Sequence, residues 1–374
     1  MIHSPVDVKL PYISADVPGI GGALRAIPEH FVVEEVALYE PEGEGQHLYI
    51  NLTKVELTTK EVQQQLAKLF QIDRNSIGFA GMKDKFASTT QTFSLSLGHI
   101  STDEVDQAAK RIQDELPVTV HWAKRHKNKL KTGHLLGNRF RIVITNLSQP
   151  LAKAQTNAQA IATQLSQTGL PNYFGPQRFG INGENVARGY DLLVNGRFIR
   201  DRWLRRFLVS SYQSYLCNRY LSERVQMGAF QHLLAGDIAK KYETGGIFTV
   251  EHLADEQPRY EEYEISFTAP LYGTKMRAAA DESGDFEAKI LAESGVTDSQ
   301  WKKAKVDGSR RLGRLLVSDL AIKTSCEEKT IQPQQGKDDE DSLTIEFFLP
   351  KGAFATTVLR EFMKNDLSNI PETD

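Results

Sequence analysis

An aspartate between two lysines is the residue of this chain whose surroundings best suit chemistry. Asp84 stands in the segment GFAGMKDKFASTTQTF at 78–93, directly after a short, apolar, glycine-punctuated stretch. Lys83 and Lys85 flank it, and two cations beside a carboxylate favour its ionised form. An ionised carboxylate can act as a nucleophile or as an electrostatic partner for developing positive charge. The ordinary alternative, an aspartate in a polar turn, stays open on these residues alone.

The elements around Asp84 are predicted to hold it rigidly. Thr58 and Glu61 have the spacing of a capping box, so a helix begins there, and alternating apolar residues predict a strand at 92–98. The other elements predicted before residue 170 are strands near 31–33, 48–50, 117–123 and 139–145 and helices near 102–113 and 151–166. Because these elements follow no regular βαβ period, the sequence predicts an α+β fold.

The sequence pattern of the chain is different between about residues 170 and 315. An aromatic, glycine-rich opening (NYFGPQRFG) is followed by arginines and by a predicted long helix at 203–226. The segment LTIEFFL at 343–349 is again typical of a buried strand. We expect this strand to return to the sheet of the first domain, which would make the middle of the chain an insertion.

Basic residues gather in three islands although the net charge is −3. Residues 121–145 hold seven Lys or Arg and no acid, 197–206 hold five arginines against one aspartate, and 302–314 hold six against one. Each island alone is typical of a solvated surface. Together, and interleaved with aromatic residues and histidines, they predict a groove that binds RNA phosphates and stacks on unpaired bases.

Length and composition exclude several classes of protein. The chain has 374 residues, 40% hydrophobic and 25% charged, which suits two globular domains and excludes a disordered chain or a coiled-coil rod. Cys217 and Cys326 can build neither a disulfide framework nor a zinc site, and no metal is expected. The N-terminus resembles no signal peptide, and no apolar stretch has membrane-spanning length. We therefore expect a soluble cytoplasmic protein without a membrane anchor.

Six motifs in order give the chain a family resemblance. GMKDKFASTTQ, NYFGPQRFG and GAFATTVLRE, together with GNRFRI, SYQSYLCNRY and PEHFVVEE…GEGQH, resemble the tRNA pseudouridine synthase D (TruD) family over residues 20–362. The resemblance implies a V-shaped, two-domain molecule. Its catalytic domain, a pseudouridine-synthase core with a mixed or antiparallel sheet, would comprise 1–168 and 318–374, and the inserted α/β TRUD domain would comprise 169–317.

The resemblance also assigns roles to single residues. Asp84, in the G-x-K-D-x-x-A motif, matches the nucleophile of the family. Phe31, Asn138 and Phe354 match substrate-pocket positions, and Phe140 matches the aromatic residue that stacks on the flipped uracil. Without the resemblance, each of these phenylalanines is more simply explained as core packing.

Two departures from the family pattern stand out. The basic residue before the first strand is Arg25 where the family usually has lysine, and arginine keeps the charge while adding a bidentate fork, so an ion pair with Asp84 is expected. The motif G-E-G-E-H reads GEGQH, with Gln46 replacing a carboxylate while His47 is kept.

The leading hypothesis is therefore a cofactor-free enzyme that converts a uridine of tRNA, position 13 in the D arm by resemblance, to pseudouridine. Base flipping would bring the uridine to Asp84. The alternatives are a structured-RNA binder or chaperone that uses the same basic cleft without chemistry, and an N-glycosylase that releases uracil. The protein is expected to act as a monomer. The residues expected at the RNA backbone are Lys83, Lys127, Lys129, Lys131 and Arg178.

Overall fold

The structure, a computed structural model, describes residues 10–327 and 341–365. Its strands are β1 (Gly21–Leu24), β2 (Phe31–Ala37), β3 (His47–Val55), β4 (Ile77–Phe79), β5 (Ser88–Ser96), β6 (Val118–His126), β7 (Leu135–Leu147), β8 (Leu170–Pro171), β9 (Ile238–Lys241), β10 (Ile247–Thr249), β11 (Ile265–Leu271), β12 (Ser309–Leu312), β13 (Arg314–Leu315), β14 (Ser318–Thr324) and β15 (Leu343–Pro350). Its α-helices are α1 (Thr59–Phe70), α2 (Thr102–Glu115), α3 (Leu151–Thr168), α4 (Glu184–Leu193), α5 (Arg202–Gln226), α6 (Leu253–Glu261), α7 (Asp281–Ser294), α8 (Asp298–Ala304) and α9 (Ala355–Met363).

A mixed sheet forms the framework of the first half of the chain. Among the described residues it has nine strands, in the order β14-β15-β7-β2-β5-β3-β6, with β1 on β7 and β4 on β5. Its pairs are antiparallel except β2 with β5, which run parallel. The predicted α+β class is thereby confirmed. The strands predicted at 31–33 and 48–50 lie in this sheet as β2 and β3, but β5 separates them.

Helix α1 begins where its capping box was predicted. The Thr58 hydroxyl accepts from the Glu61 amide at 3.1 Å, and the Glu61 carboxylate accepts from the Thr58 amide at 2.6 Å. The apolar face of α1, including Val62 and Leu66, packs with α2 on Leu48, Ile50 and Leu52 of β3 in one buried cluster. Each methylene group buried in this way stabilises the fold by about 0.8 kcal/mol. Burial of the apolar face therefore stabilises α1 more than its helix propensity does.

The strand predicted near the C-terminus returns to the large sheet. β15 lies between β7 and β14 and is antiparallel to both. Its inward residues Leu343, Ile345, Phe347 and Leu349 are buried, which fits the period of two predicted for that segment. The expectation that the chain comes back to the first sheet is confirmed.

The chain folds into two compact units. Of the described residues, one unit contains 18–162, 317–327, 341–355 and 362–365, and the other contains 10–17, 163–316 and 356–361. We call them the sheet unit and the helical unit. The boundaries predicted for the inserted domain, 169–317, stay a prediction, and residues 1–9, 328–340 and 366–374 of the predicted catalytic domain lie outside the described residues.

The helical unit has its own core around α5, the helix predicted at 203–226. Leu216, Tyr220 and Leu221 of α5 are fully buried against a four-stranded sheet of order β10-β9-β11-β12.

No helix among the described residues combines the length and the apolar character needed to cross a membrane.

Candidate active site

A short loop between β4 and β5 carries Asp84. Three hydrogen bonds in series fix this loop to its surroundings. The Lys83 amide donates to the Thr59 hydroxyl at 2.8 Å, that hydroxyl donates to the Gln91 amide oxygen at 2.9 Å, and the Gln91 amide nitrogen donates to the Gly81 carbonyl at 3.1 Å. Thr59 and Gln91 are fully buried. The loop is therefore anchored to α1 on one side and to β5 on the other.

Asp84 forms an ion pair with Arg25. The Arg25 Nη2 lies 2.5 Å from the Asp84 Oδ2, with side-chain exposures of 9% and 8%. The other carboxylate oxygen, Oδ1, accepts from the Phe86 amide at 2.9 Å. Arg25 has φ of 60°, a left-handed backbone conformation that costs energy for a residue with a side chain. The expected ion pair is present at the end of β1, and both carboxylate oxygens are held in place.

A buried lysine also holds the loop of Asp84, through hydrogen bonds to backbone carbonyls. The Lys54 Nζ donates to the backbone carbonyls of Asp84 at 2.7 Å and of Leu57 at 2.5 Å. Burial lowers the pKa of Lys54 from 10.5 to about 8, a shift that Lys83 adds to and Asp84 opposes. Lys54 is fully buried, and sequence reasoning missed it. A signal existed, because Lys54 follows Leu48, Ile50 and Leu52 in the inward phase of a strand.

The lysines that flank Asp84 pair with other carboxylates. The Lys83 Nζ lies 2.7 Å from the Glu35 Oε2, and both side chains are buried. Lys85 Nζ lies 3.8 Å from Glu61 Oε1 in a half-exposed pair. The cation in contact with the Asp84 carboxylate is therefore Arg25, which comes from a distant part of the sequence. Burial also leaves Lys83 little surface for the RNA contact expected of it.

Aromatic side chains line the sheet beside this ion pair. The Arg25 guanidinium lies 4.2 Å from the centroid of the Phe31 ring. Phe31 meets Phe140 edge to face at 6.4 Å between centroids, and Phe140 stacks on Phe347 at 5.2 Å with 23° between the planes. The structure thus brings Asp84, Arg25, Phe31 and Phe140 together in one chain of contacts.

Strand register explains why these groups share one face. Val33 of β2 is paired with Phe140 of β7 and with Thr89 of β5, and Thr89 is paired with Lys54 of β3. Directly paired residues point to the same face of a sheet. A row of side chains from Lys54 to Phe140 therefore runs across four strands.

Asn138 lies one step along β7 from this row. It is paired with Glu35 of β2, the carboxylate that holds Lys83. The Asn138 Oδ1 is buried and accepts no hydrogen bond within the described part of the chain. A buried amide oxygen without a donor costs free energy, so this position suits an incoming N–H group.

The remaining predicted residues lie in other surroundings. Phe354 is half-buried directly before α9. Lys127 is exposed and paired with Glu42 and Glu44 at 3.0 and 2.7 Å, Lys129 donates to the Asn75 carbonyl, and Lys131 is exposed. Arg178, in the helical unit, contacts the Ser210 hydroxyl and the Phe207 ring.

The three arginines of the third basic island are structural, whereas its lysines, Lys302, Lys303 and Lys305, are exposed. The side chain of Arg310 is 3% exposed and paired with Glu287 at 2.6 Å, and Arg314 is 4% exposed. Burial lowers the pKa of Arg311 to about 10. The hydrogen bonds of these arginines stabilise the helical unit, so the sequence overstated how much positive charge reaches the surface.

The residues 127–134 form a basic loop that is seated on β4. The Gly133 amide donates to the Ala80 carbonyl at 2.8 Å, and the Leu130 amide donates to the Ser94 hydroxyl at 2.9 Å. A Cβ at Gly78 would lie 2.0 Å from the Leu130 carbonyl oxygen, so only glycine allows this approach. The loop with the predicted RNA-binding lysines thus packs directly beside the strand that leads to Asp84.

Comparisons with known proteins match one family along nearly the whole chain. The family described as tRNA pseudouridine synthase D (TruD) matches residues 7–196 and 199–362. A tRNA pseudouridine synthase D from Anaeromyxobacter dehalogenans is 40% identical over 373 residues, 98% of this chain and 99% of its own. One from Thermus thermophilus is 38% identical over 356 residues, covering 95% and 92%.

A solved structure agrees on the fold. The crystal structure of the Methanosarcina mazei protein provisionally named tRNA pseudouridine synthase D superposes with a TM-score of 0.73 at 24% identity, covering 95% of this chain and 96% of that one. Fold and sequence together place this chain among the pseudouridine synthases, enzymes of the isomerase class. Within that class, it belongs to the tRNA pseudouridine synthase D (TruD) family.

Proposed function

We propose that this protein converts one uridine of tRNA, position 13 in the D arm, to pseudouridine, with Asp84 as the nucleophile. The observation that supports this most directly is the placement of Asp84. Its nearly buried carboxylate Oδ2 lies 2.5 Å from the Arg25 Nη2. The Arg25 guanidinium in turn contacts the Phe31 ring, which packs edge to face on Phe140. A single oriented carboxylate beside an aromatic wall fits a reaction that moves a base without releasing it.

The reaction needs the uridine outside its stack. Its N1–C1′ bond breaks, the uracil turns, a new bond forms between C5 and C1′, the proton on C5 is lost and N1 gains one. A flipped uracil is expected to stack on Phe140, an interaction of roughly 1–3 kcal/mol. The Asn138 Oδ1 is buried and accepts nothing from the described residues, and we propose that it accepts from a uracil N–H.

Water must be kept from C1′ while the base turns, because hydrolysis would leave an abasic site. Ordinary glycosidases use a second carboxylate to activate water. A further carboxylate on this face of the sheet, Glu35, is buried and holds Lys83 at 2.7 Å, so it is committed to an ion pair. This supports an isomerase over an N-glycosylase. Asp84 can attack C1′ or assist elimination, and either route uses the same carboxylate.

The tRNA backbone is proposed to contact the exposed lysines of the basic loop and Arg178. Lys127 and Lys131 are exposed, and 121–145 carry no acid. Lys127 pairs with Glu42 and Glu44, and exposed pairs of this kind are weak enough to yield to a phosphate. We propose that the protein acts as a monomer in the cytoplasm.

The test is carbodiimide labelling with primer extension on an unmodified tRNA transcript. Wild type is expected to give one new stop in the D arm, and Asp84→Asn none. Asp114→Asn, an exposed aspartate of α2, is the matched control and keeps wild-type activity.

Two other outcomes would point elsewhere. Salt-sensitive binding without any stop would make the protein an RNA binder, and free uracil with a cleavable abasic site would make it an N-glycosylase. A stop that survives Asp84→Asn would leave the isomerase but remove Asp84 as its nucleophile.

A further inference from the structure

An aromatic ladder stands on the surface of the helical unit. Trp203 is 68% exposed, and it stacks on Phe207, one helical turn further along α5, with 5.5 Å between centroids and 6° between planes. The Arg178 guanidinium lies 5.1 Å from the same Phe207 ring. Phe198, in the segment before α5, is 78% exposed. Exposed aromatic side chains that gather among polar residues on one surface are typical of an interaction site, whereas single exposed ones are ordinary.

The charge around the ladder is strongly positive. Residues 197–206 hold five arginines, and Arg200, Arg202, Arg205 and Arg206 are exposed. The one acid among them, Asp201, is used by the fold, because its Oδ1 accepts from the amides of Trp203 at 2.8 Å and Leu204 at 3.1 Å as the N-cap of α5. Three arginines in the first five residues of a helix oppose its dipole. They do not stabilise α5, which indicates that they serve an external anion.

We propose that this surface, the stacking patch (Phe198, Trp203, Phe207 and the arginines of 197–206), binds an unpaired base of the RNA substrate outside the catalytic pocket. The base stacks on Trp203, and the arginines neutralise the adjoining phosphates. Parallel rings flanked by guanidinium groups match a single-stranded nucleic acid, which offers π-faces and phosphates in alternation. An acidic protein would supply the charge but not a stack of flat faces. The inference rests on the proposed tRNA function and adds a second recognition point to it.

The experiment measures the affinity of the full chain for an unmodified, fluorescently labelled tRNA transcript by anisotropy. Trp203→Ala and Trp203→Leu are expected to raise Kd about 5- to 100-fold, since a stacked base contributes roughly 1–3 kcal/mol. Trp203→Phe keeps a stacking face and is expected to stay within about threefold of wild type. The matched control is Met227→Ala, a half-exposed apolar residue at the other end of α5, with unchanged Kd.

Salt provides a second measure. Replacing Arg202, Arg205 and Arg206 by glutamine should make the slope of log K against log salt shallower by about 2, since each phosphate contact on a single strand contributes roughly 0.7. Circular dichroism of each variant checks that α5 is intact.

The outcomes separate this inference from the proposed function. If wild type modifies tRNA while Trp203→Ala and Trp203→Leu bind as tightly as wild type, the stacking patch does not bind RNA, and a protein partner becomes its better occupant. Equal losses in Trp203→Leu and Trp203→Phe would equally overturn stacking. If wild type neither binds nor modifies tRNA, the proposed function itself fails.

Discussion

Two buried arginine–aspartate pairs, one in each unit, differ in how fully they are bonded. In the helical unit, the Arg224 Nη2 lies 2.6 Å from the Asp237 Oδ2, and both side chains are 0% exposed. Asp237 accepts two further hydrogen bonds, from the Leu234 amide and the Ser283 hydroxyl, and Arg224 also donates to the Ala229 and His232 carbonyls and to a tyrosine hydroxyl. Burial alone would lower the pKa of Arg224, but the attraction of the Asp237 carboxylate is stronger, so the pKa of Arg224 is raised.

In the sheet unit, the Asp84 carboxylate accepts from Arg25 and from the Phe86 amide within the described residues, and both partners of the ion pair retain some exposure. A carboxylate with four donors, such as Asp237, has no lone pair left for a substrate, whereas Asp84 has. A fully hydrogen-bonded ion pair is therefore typical of a structural role, whereas a carboxylate with free hydrogen-bonding capacity is available for chemistry.

The largest effect is expected from removing the reactive carboxylate. Asp84→Asn should lower pseudouridine formation by at least about 10³-fold, because a nucleophile has no substitute in the site. The midpoint of chemical denaturation should move little, since the amide still accepts from Phe86. Quantitative primer extension and urea unfolding measure the two quantities, and a large loss of stability would mean that Asp84 is a structural residue like Asp237.

Breaking the saturated pair should act on stability. Arg224→Met leaves the Asp237 charge buried without its partner and should lower the free energy of unfolding by about 3–5 kcal/mol. Arg25→Met should cost clearly less, because Asp84 is still partly accessible to water. Urea titrations of both variants make the comparison, and equal losses would contradict the distinction drawn between the pairs.

The choice of cation beside Asp84 should matter next. Arg25→Lys keeps the charge and is expected to retain activity within about tenfold of wild type, whereas Arg25→Met should lose about 100-fold or more. Single-turnover rates on saturating tRNA separate the two. If lysine is as poor as methionine, the guanidinium fork and its contact with Phe31 matter more than the charge.

Phe140 should contribute through stacking. Phe140→Ala is expected to reduce kcat/KM about 5- to 100-fold, with Phe140→Tyr close to wild type, because only the aromatic face is needed for a stacked base. Since Phe140 also packs on Phe347, urea unfolding of each variant shows whether the loss belongs to the fold.

The smallest effect concerns pH. Lys54, with its pKa lowered to about 8, loses its proton in the folded protein before it does in the unfolded chain, where the ordinary value is 10.5. The unfolded chain then binds more protons between pH 8 and 10.5, so this contribution to stability increases with pH over that window. Activity should fall over the same window by a few fold, as the positive charge beside the loop of Asp84 is lost. In Lys54→Met, the increase of stability with pH should be absent.

Sequence patterns predicted much of the framework. The capping box at Thr58, the long helix at 203–226 and the returning strand at 343–349 were readable because each depends on local spacing. The order of the strands could not be predicted in this way. β5 lies between β2 and β3, and this position depends on pairing between segments that are far apart in the sequence.

The candidate site divides in the same way. Asp84 and Arg25 could be named from motifs, and their ion pair is present. The partners of Lys83 and Lys85 could not be predicted, since adjacent residues of a loop point in different directions. The phase of its strand places Lys54 inward, but lysine is so seldom buried that the residue type predicts a surface position. The roles of Phe31, Asn138, Phe140 and Phe354 in binding uracil remain predictions.

The position of β15 has a consequence for synthesis on the ribosome. This strand places Phe347 against Phe140 and covers the edge of β7, yet it lies about 200 residues later in the chain. At roughly 5–20 residues per second, β7 waits tens of seconds as an open edge while the helical unit is made. An unpaired edge with exposed aromatic residues is prone to wrong association. Chains arrested before residue 343 are therefore expected to aggregate, and nascent chains of this length are natural clients for chaperones.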